Sequence, residues 1–208
     1  MRLAILVLVL AVSAGAQYIE GVIYLPDSLS GIENVNLIVH NPANNNVFVA
    51  ERYESSVVVF DGVTNRRFAR TTIQPVVAMC YNMTDNAVYC ATECDTIFVL
   101  DGVSGRVLSV IPGTGLLAEL CHNPIENKLY GVYSWEEDDD DSTVTVIDCD
   151  AGQVSGRIAV GRETEELCFN PDDNRLYCTV SDSEGIAVID CATDSIMKYV
   201  HTGVGMYE

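Results

Sequence analysis

Basic residues are scarce in this chain. Lys and Arg number 11 against 30 Asp and Glu in 208 residues, a formal charge of −19. A surface that acidic repels phosphate backbones and anionic headgroups, which argues against nucleic-acid binding and against docking on a membrane surface. Long apolar runs are also lacking. None approaches the roughly 20 residues that span a bilayer, so no membrane insertion of the mature chain is expected. No amphipathic helical stretch follows the amino terminus, which excludes helical bundles and α/β folds. Histidine is limited to three residues and tryptophan to one, and no His/Ser/Asp or His/Cys constellation emerges. Charge is not so dense as to prevent folding: 20% charged against 49% hydrophobic residues is the composition of a globular chain. The length suits one domain with a sizeable core.

The amino terminus reads as an export signal. Met1-Arg2 is a short positive segment, Leu3 to Val12 is an apolar stretch, and Ser13-Ala14-Gly15-Ala16 supplies small residues at a cleavage site. Cleavage is expected after Ala16, giving residues 1–16 as signal peptide and a secreted or periplasmic mature chain starting at Gln17.

The rest is dominated by a repeat. Four segments superpose: His40-Asn41-Pro42-Ala43-Asn44-Asn45-Asn46-Val47-Phe48, Tyr81-Asn82-Met83-Thr84-Asp85-Asn86-Ala87-Val88-Tyr89, His122-Asn123-Pro124-Ile125-Glu126-Asn127-Lys128-Leu129-Tyr130 and Phe169-Asn170-Pro171-Asp172-Asp173-Asn174-Arg175-Leu176-Tyr177. Asn stands second and sixth in each, an aromatic closes each, and the leading Asn residues are 41, 41 and 47 apart. Downstream of each lies an apolar run ending in Asp61, Asp101, Asp148 or Asp190. Four residues further stands Asn65, Gly105, Gly152 or Asp194, types that accept a left-handed turn.

Each unit therefore reads as four short strands. The first ends at the leading Asn, the second is centred on the aromatic, the third ends at the Asp, and the fourth follows the next tight turn. Four antiparallel strands in about 40 residues is the size of a β-propeller blade, and a blade buries its faces only by stacking on its neighbours. The expectation is an all-β propeller with blades at 32–73, 74–112, 113–161 and 162–202, within a domain spanning 17–208. A stacked β-solenoid is excluded by its shorter coils and parallel strands.

These residues resemble the YVTN-type secreted β-propeller repeat family, in which a Tyr-bearing strand is followed by a Val-x-Val-Ile-Asp strand, a Gly or Asn turn and an Ile-x-Val-Gly strand. Ile147-Asp148 through Val160-Gly161 fits best, and the resemblance covers about residues 32–205. The counterparts of the name-giving tetrapeptide, such as Tyr89-Cys90-Ala91-Thr92 and Tyr177-Cys178-Thr179-Val180, lack its final Asn, so the resemblance carries the fold rather than a subfamily. It implies an exported binding or surface protein with no universal catalytic motif.

The strand count does not close. Residues 18–25 read as one extra strand ahead of four complete units. Closed propellers seal their ring because an open edge invites aggregation, so the closure argument points to the front portion of a larger ring, seven-bladed by family resemblance. A native four-bladed ring and an arc completed by a second copy are the alternatives. The missing blades then come from the same longer chain or from that second copy.

Eight Cys obey the repeat. Cys80, Cys121 and Cys168 precede the leading Asn by two; Cys90 and Cys178 follow the aromatic; Cys149 and Cys191 follow the strand-ending Asp; Cys94 stands apart. Two readings are balanced: small buried thiols, or disulfides Cys80–Cys90 and Cys168–Cys178 across a hairpin. A zinc site is disfavoured by the absence of paired CxxC motifs. His40 and His122 share a position with Tyr81 and Phe169 and read as ring-packing residues, while His201 lies in a late strand or loop. The four repeated Asp read as bonding backbone amides of the following turn.

Departures from the repeat mark where a site would sit. The third unit inserts Ser134-Trp135-Glu136-Glu137-Asp138-Asp139-Asp140-Asp141, an acidic loop beside the one Trp. Alternation of the chain puts this insert on the same face as the segments leading into the innermost strands. Those carry Glu33, Asn34, Asn36, Gln74, Glu119, Arg162, Glu163, Glu165 and Glu166. Gln74, Trp135, Arg162, Glu163, Glu33, Asn34 and Asn36 are the candidate ligand face, and an acidic mouth favours a small cationic ligand or a cationic protein. Glu119, Glu165, Glu166, Asp138 and Asp140 are candidate metal ligands. The leading function is a non-catalytic binding or surface-interaction module with no cofactor. The alternatives are a metal-dependent hydrolase similar in outline to the lactonases, holding a divalent cation on these carboxylates, and a purely structural fragment.

Overall fold

Asn and Gly placed where the chain must turn left, with β-branched runs between them, produce four copies of one antiparallel meander. The computed structural model describes residues 35, 37–51, 55–133, 143–161, 164–180 and 185–202. The signal peptide expected at 1–16 and the strand expected at 18–25 both lie outside them. The first sheet comprises β1 (Leu37–Asn41), β2 (Asn46–Ala50), β3 (Ser56–Asp61) and β4 (Arg66–Thr72). The second comprises β5 (Val76–Asn82), β6 (Ala87–Thr92), β7 (Thr96–Asp101) and β8 (Val107–Pro112). The third comprises β9 (Leu117–Asn123), β10 (Lys128–Tyr133), β11 (Thr143–Asp148) and β12 (Gln153–Ala159). The fourth comprises β13 (Leu167–Asn170), β14 (Arg175–Val180), β15 (Gly185–Asp190) and β16 (Ser195–His201). Every sheet runs in sequence order, each strand paired to the next.

Both repeated turns take the backbone that their residues favour. The sixth-position Asn45, Asn86, Asn127 and Asn174 have φ of 58°, 52°, 47° and 50°. Asn65, Gly105, Gly152 and Asp194 hold φ of 56°, 71°, 62° and 49° in the turns between third and fourth strands. Asn, Asp and Gly bear this region at low cost. The Asp ending each third strand does bond the next turn. Asp61 accepts from the amides of Val63 and Thr64, Asp101 from Ser104, Asp148 from Ala151 and Asp190 from Ala192. Each sheet also carries a bulge between its third and fourth strands, at Val59/Phe60, Val99/Leu100, Val146/Ile147 and Val188/Ile189. A bulge sharpens the local twist, here at the same place in every sheet.

Three hydrophobic cores lie between sheets, and a fourth cluster, Val49, Val58 and Phe60, belongs to the first sheet. Phe48, Ala50, Val57 and Val59 of the first sheet pack on Val76, Val88, Cys90 and Leu100 of the second. Tyr89, Ala91, Ile97 and Val99 pack on Leu120, Leu129, Ile147 and Cys149. Tyr130, Val132, Val144 and Val146 pack on Leu176, Cys178, Ala187 and Ile189. In the first three sheets the second and third strands are thus mostly buried on both faces, whereas β14 of the fourth sheet is buried on one face and the fourth strands β8 and β16 are mostly exposed. The first strands neighbour one another in the order β1, β5, β9, β13, and no comparable packing joins β13 to β1 among the described residues. The four sheets are arranged in sequence around the innermost strands, and among the described residues they do not close on themselves as a four-sheet ring.

The cysteines correct one expectation. Cys80 stands opposite Tyr89 and Cys90 opposite Met79; Cys168 stands opposite Tyr177 and Cys178 opposite Leu167. A one-residue offset in an antiparallel pair sends two side chains to opposite faces of the sheet, so neither proposed pair can bridge. All eight thiols are free. Burial pushes Cys80 and Cys178 up to about 12. Cys121 and Cys149 rise to about 11 for the same reason.

Candidate functional site

The meander sorts the loops onto two rims. Turns joining first to second and third to fourth strands lie on one rim. Loops joining second to third strands, and one sheet to the next, lie on the other, and this second rim holds the expected mouth. Glu33, Asn34, Asn36, Trp135, Asp138, Asp140, Arg162 and Glu163 lie outside the described residues. Gln74, Glu119, Glu165 and Glu166 are within them.

Of these, Glu119 and Glu166 lie within electrostatic range of each other. Glu119 sits near the start of β9 opposite Val132, half-buried by its neighbours. Partial burial, and next the negative charge of Glu166, push its carboxyl above the ordinary glutamate value. Glu166 and Glu165 form the lead-in to β13, pinned to the neighbouring strand. Their backbone amides donate to Thr179 Oγ1 at 3.0 and 3.4 Å, and Thr179 donates its own amide to the Glu166 carbonyl at 3.1 Å. Both carboxylates consequently reach outward. Gln74 joins a different group. The Thr92 hydroxyl, on a fully buried residue, lies 3.3 Å from Gln74 Oε1 and donates to the Thr96 carbonyl at 2.9 Å.

Sequence reading overlooked the residues that shape this rim. Asp95, at φ 55°, ties down the connection from β8 to β9. Its carbonyl accepts the Gly113 amide at 2.9 Å, and its carboxylate accepts the Gly115 amide. Asp95 falls outside the repeated Asn and Asp positions, so periodicity gave no signal for it. Among the described residues, no group of three or more His, Cys, Asp or Glu side chains converges as a metal site needs.

The opposite rim holds an ordered array that sequence showed only as recurrent Asn. Asn41, Asn82 and Asn123 are fully buried. The side-chain oxygen of each accepts a turn amide, from Ala43 at 2.9 Å, Thr84 at 2.8 Å and Ile125 at 2.8 Å. The side-chain amide of each crosses to the sixth-position Asn of the next sheet: Asn41 to Asn86 at 2.8 Å, Asn82 to Asn127 at 2.9 Å and Asn123 to Asn174 at 3.0 Å. His40 and His122, expected in ring packing, instead bond the sixth-position Asn of their own turn, as Tyr81 does. Phe169, which has no polar atom to offer, packs on the core shared with the third sheet. His201 ends β16.

Four-stranded meanders stacked through shared faces, with their first strands side by side at the centre, define a β-propeller. Among solved structures the chain is similar to "Kuenenia stuttgartiensis Hydrazine Synthase", with a TM-score of 0.69 at 17% identity over 89% of this chain. The matched part is 53% of that chain, so this sequence spans about half its length. At such identity the likeness speaks for the fold alone. No protein-family model and no curated protein matches the chain.

Proposed function

We propose that this chain is an exported β-propeller of the YVTN-repeat kind that acts without a cofactor as a binding module, its acidic mouth taking a cationic group of a protein or small ligand. The carrying observation is the Glu119–Glu166 pair, a half-buried carboxyl pushed upward by burial and by a neighbouring negative charge. A bound cation relieves both penalties at once, which is the condition for ligand affinity at such a site. The chain's excess of acid adds long-range attraction for the same class of partner. Export rests on residues 1–16, whose positive start, apolar middle and small-residue end match a cleavable signal. The hydrolase alternative needs converging metal ligands, and the described residues offer no support for it.

Titration with a short oligolysine peptide tests the binding reading. Binding is expected to weaken with added salt, to release protons at pH values where Glu119 is still partly protonated, and to weaken in Glu119→Gln. No binding at low salt, or binding indifferent to Glu119→Gln, overturns it. For export, the amino terminus of protein recovered outside the cytoplasm should be Gln17; intact retention of residues 1–16 inside the cell overturns that part.

A further inference from the structure

The fourth strand of each sheet forms its outer edge, and the four edges differ in charge. β4 carries Arg66, Arg67 and Arg70 and no acid. β12 and β16 carry one Lys or Arg each, Arg157 and Lys198. β8 has no charged residue, although Val107, Leu108 and Val110 are 41%, 59% and 46% exposed there. Basic side chains on an edge strand can serve simply to keep other strands off it. Were that their role here, β8 would need them most, and it has none.

Lys and Arg number only 11 in a chain of charge −19, so three on one strand is a local reversal of sign. All three are exposed, and Arg66 and Arg70 enter no ion pair among the described residues. Asp61, opposite Arg66 in the ladder, directs its carboxylate to Val63 and Thr64 of its own turn. Arg70 stands opposite Val58 and Arg67 opposite Phe60, so both belong to the face turned away from the second sheet. Val58 and Phe60 are covered, whereas the two Arg at the outer edge of that face stay exposed.

The bulge inserts Phe68 between Arg67 and Ala69 with no counterpart on β3, and leaves it 50% exposed. On the other face of the strand, Thr71 donates its hydroxyl to the carbonyl of Gly105, which brings the turn bearing exposed Arg106 alongside. The result is a strip about 13 Å long from Arg66 to Arg70, by the rise of a strand. Guanidinium groups flank it on both sides, and one aromatic ring stands between them.

We propose that β4 is a docking edge for an extended, carboxylate-rich peptide, whose acidic side chains pair with Arg66, Arg70 and Arg106 and whose apolar side chains cover Phe68. A guanidinium takes a carboxylate through two parallel hydrogen bonds, and the side chains of an extended peptide repeat at the spacing of the strand they lie along. The acidity of the whole chain does not forbid this. At physiological salt, exposed charges farther away than about 8 Å are largely screened, so the partner responds to the strip beneath it.

Calorimetric titration of the full chain with a seven-residue peptide alternating Glu and Val, at about 0.15 M salt, tests this. Binding is expected, and Arg66→Glu and Arg70→Glu should each weaken it about tenfold or more. Lys198→Glu, on the outer strand of the fourth sheet, makes the same change in net charge and should weaken it less than about twofold. Glu119→Gln should leave it unchanged, which separates this edge from the mouth. The three charge-reversed positions are exposed, and unchanged urea midpoints confirm folding. No binding, equal losses in Arg70→Glu and Lys198→Glu, or tighter binding of a sulfated oligosaccharide than of the peptide overturns the proposal. Self-association of the chain that Arg70→Glu abolishes also overturns it, by making a second copy the occupant.

Discussion

The side-chain amide of Asn82 stands 2.9 Å from the side-chain oxygen of Asn127, while the Asn82 oxygen holds the amides of Thr84 and Asp85. One buried side chain thus folds its own turn and fastens its sheet to the next. Asn suits both tasks because it carries an acceptor and a donor on one short stem.

Removing this residue should cost both functions. Asn82→Ala leaves two turn amides and the Asn127 oxygen short of partners, a loss of about 2–4 kcal/mol read from urea unfolding. Asn82→Asp keeps the turn acceptors but turns a carboxylate toward Asn127 and Asp85. Its deficit should be large at neutral pH and shrink as pH falls and the buried acid protonates. A pH-independent deficit in the Asp variant contradicts the inter-sheet role.

Gly102 has no room for a side chain. A Cβ there meets the Asn86 carbonyl and lies 2.7 Å from Asn86 Oδ1, and the Gly102 carbonyl collects the amides of Asn41, Asn44 and Asn46. Gly102→Ala should therefore destabilise by about 2 kcal/mol or more through overpacking at the junction of the first two sheets. Gly152→Ala, where a Cβ meets nothing but φ is 62°, should cost about 1 kcal/mol, the backbone penalty alone. Equal losses at the two positions contradict the crowding argument.

Stability should respond to pH in two opposite ways. Hydrogen bonds from Thr64 hold Asp61 below its ordinary value, and those from Ser104 do the same for Asp101. Their contribution is present above the ordinary carboxylate range and lost as pH falls through the lowered values. Glu119 is raised by burial and then by Glu166, so the folded state holds its proton more tightly and stability falls as pH rises through the raised value. Glu119→Gln should raise the melting temperature at pH 7 and leave it nearly unchanged below the unperturbed glutamate value. A variant less stable than the parent at pH 7 contradicts this.

Thiol labelling distinguishes the surface from the interior. All eight cysteines should react in denaturant without reductant, and only Cys94 and Cys168 should react quickly in the folded protein. Cys80, Cys90 and Cys178 are held back by burial, which also keeps them protonated. Fewer than eight thiols in denaturant contradicts the free-thiol assignment.

Much of the fold was legible because turn chemistry is local. Asn65, Gly105, Gly152 and Asp194 signalled a left-handed turn by residue type, and Asp61, Asp101, Asp148 and Asp190 signalled bonds to amides two or three residues on. The choice between free thiols and cross-hairpin disulfides stayed open in the sequence because proximity across a hairpin does not set which face a side chain occupies; register does, and Cys80 falls opposite Tyr89. The mouth was legible only as a crowd of carboxylates. That Glu119 feels the charge of Glu166 while Gln74 turns to Thr92 depends on how neighbouring strands and sheets are placed, which no local pattern encodes.

By itself the sequence determined the repeating unit: strand lengths, turn handedness and the apolar alternation that obliges each sheet to seek a neighbour. These follow from interactions spanning a few residues and from the need to bury two faces. Only the tertiary structure decided what the recurrent Asn residues were for. Asn41 and Asn86 are 45 positions apart in the chain, and their bond exists because stacking brings the buried amide of one sheet up to the turn oxygen of the next, a meeting that no local turn contact can arrange.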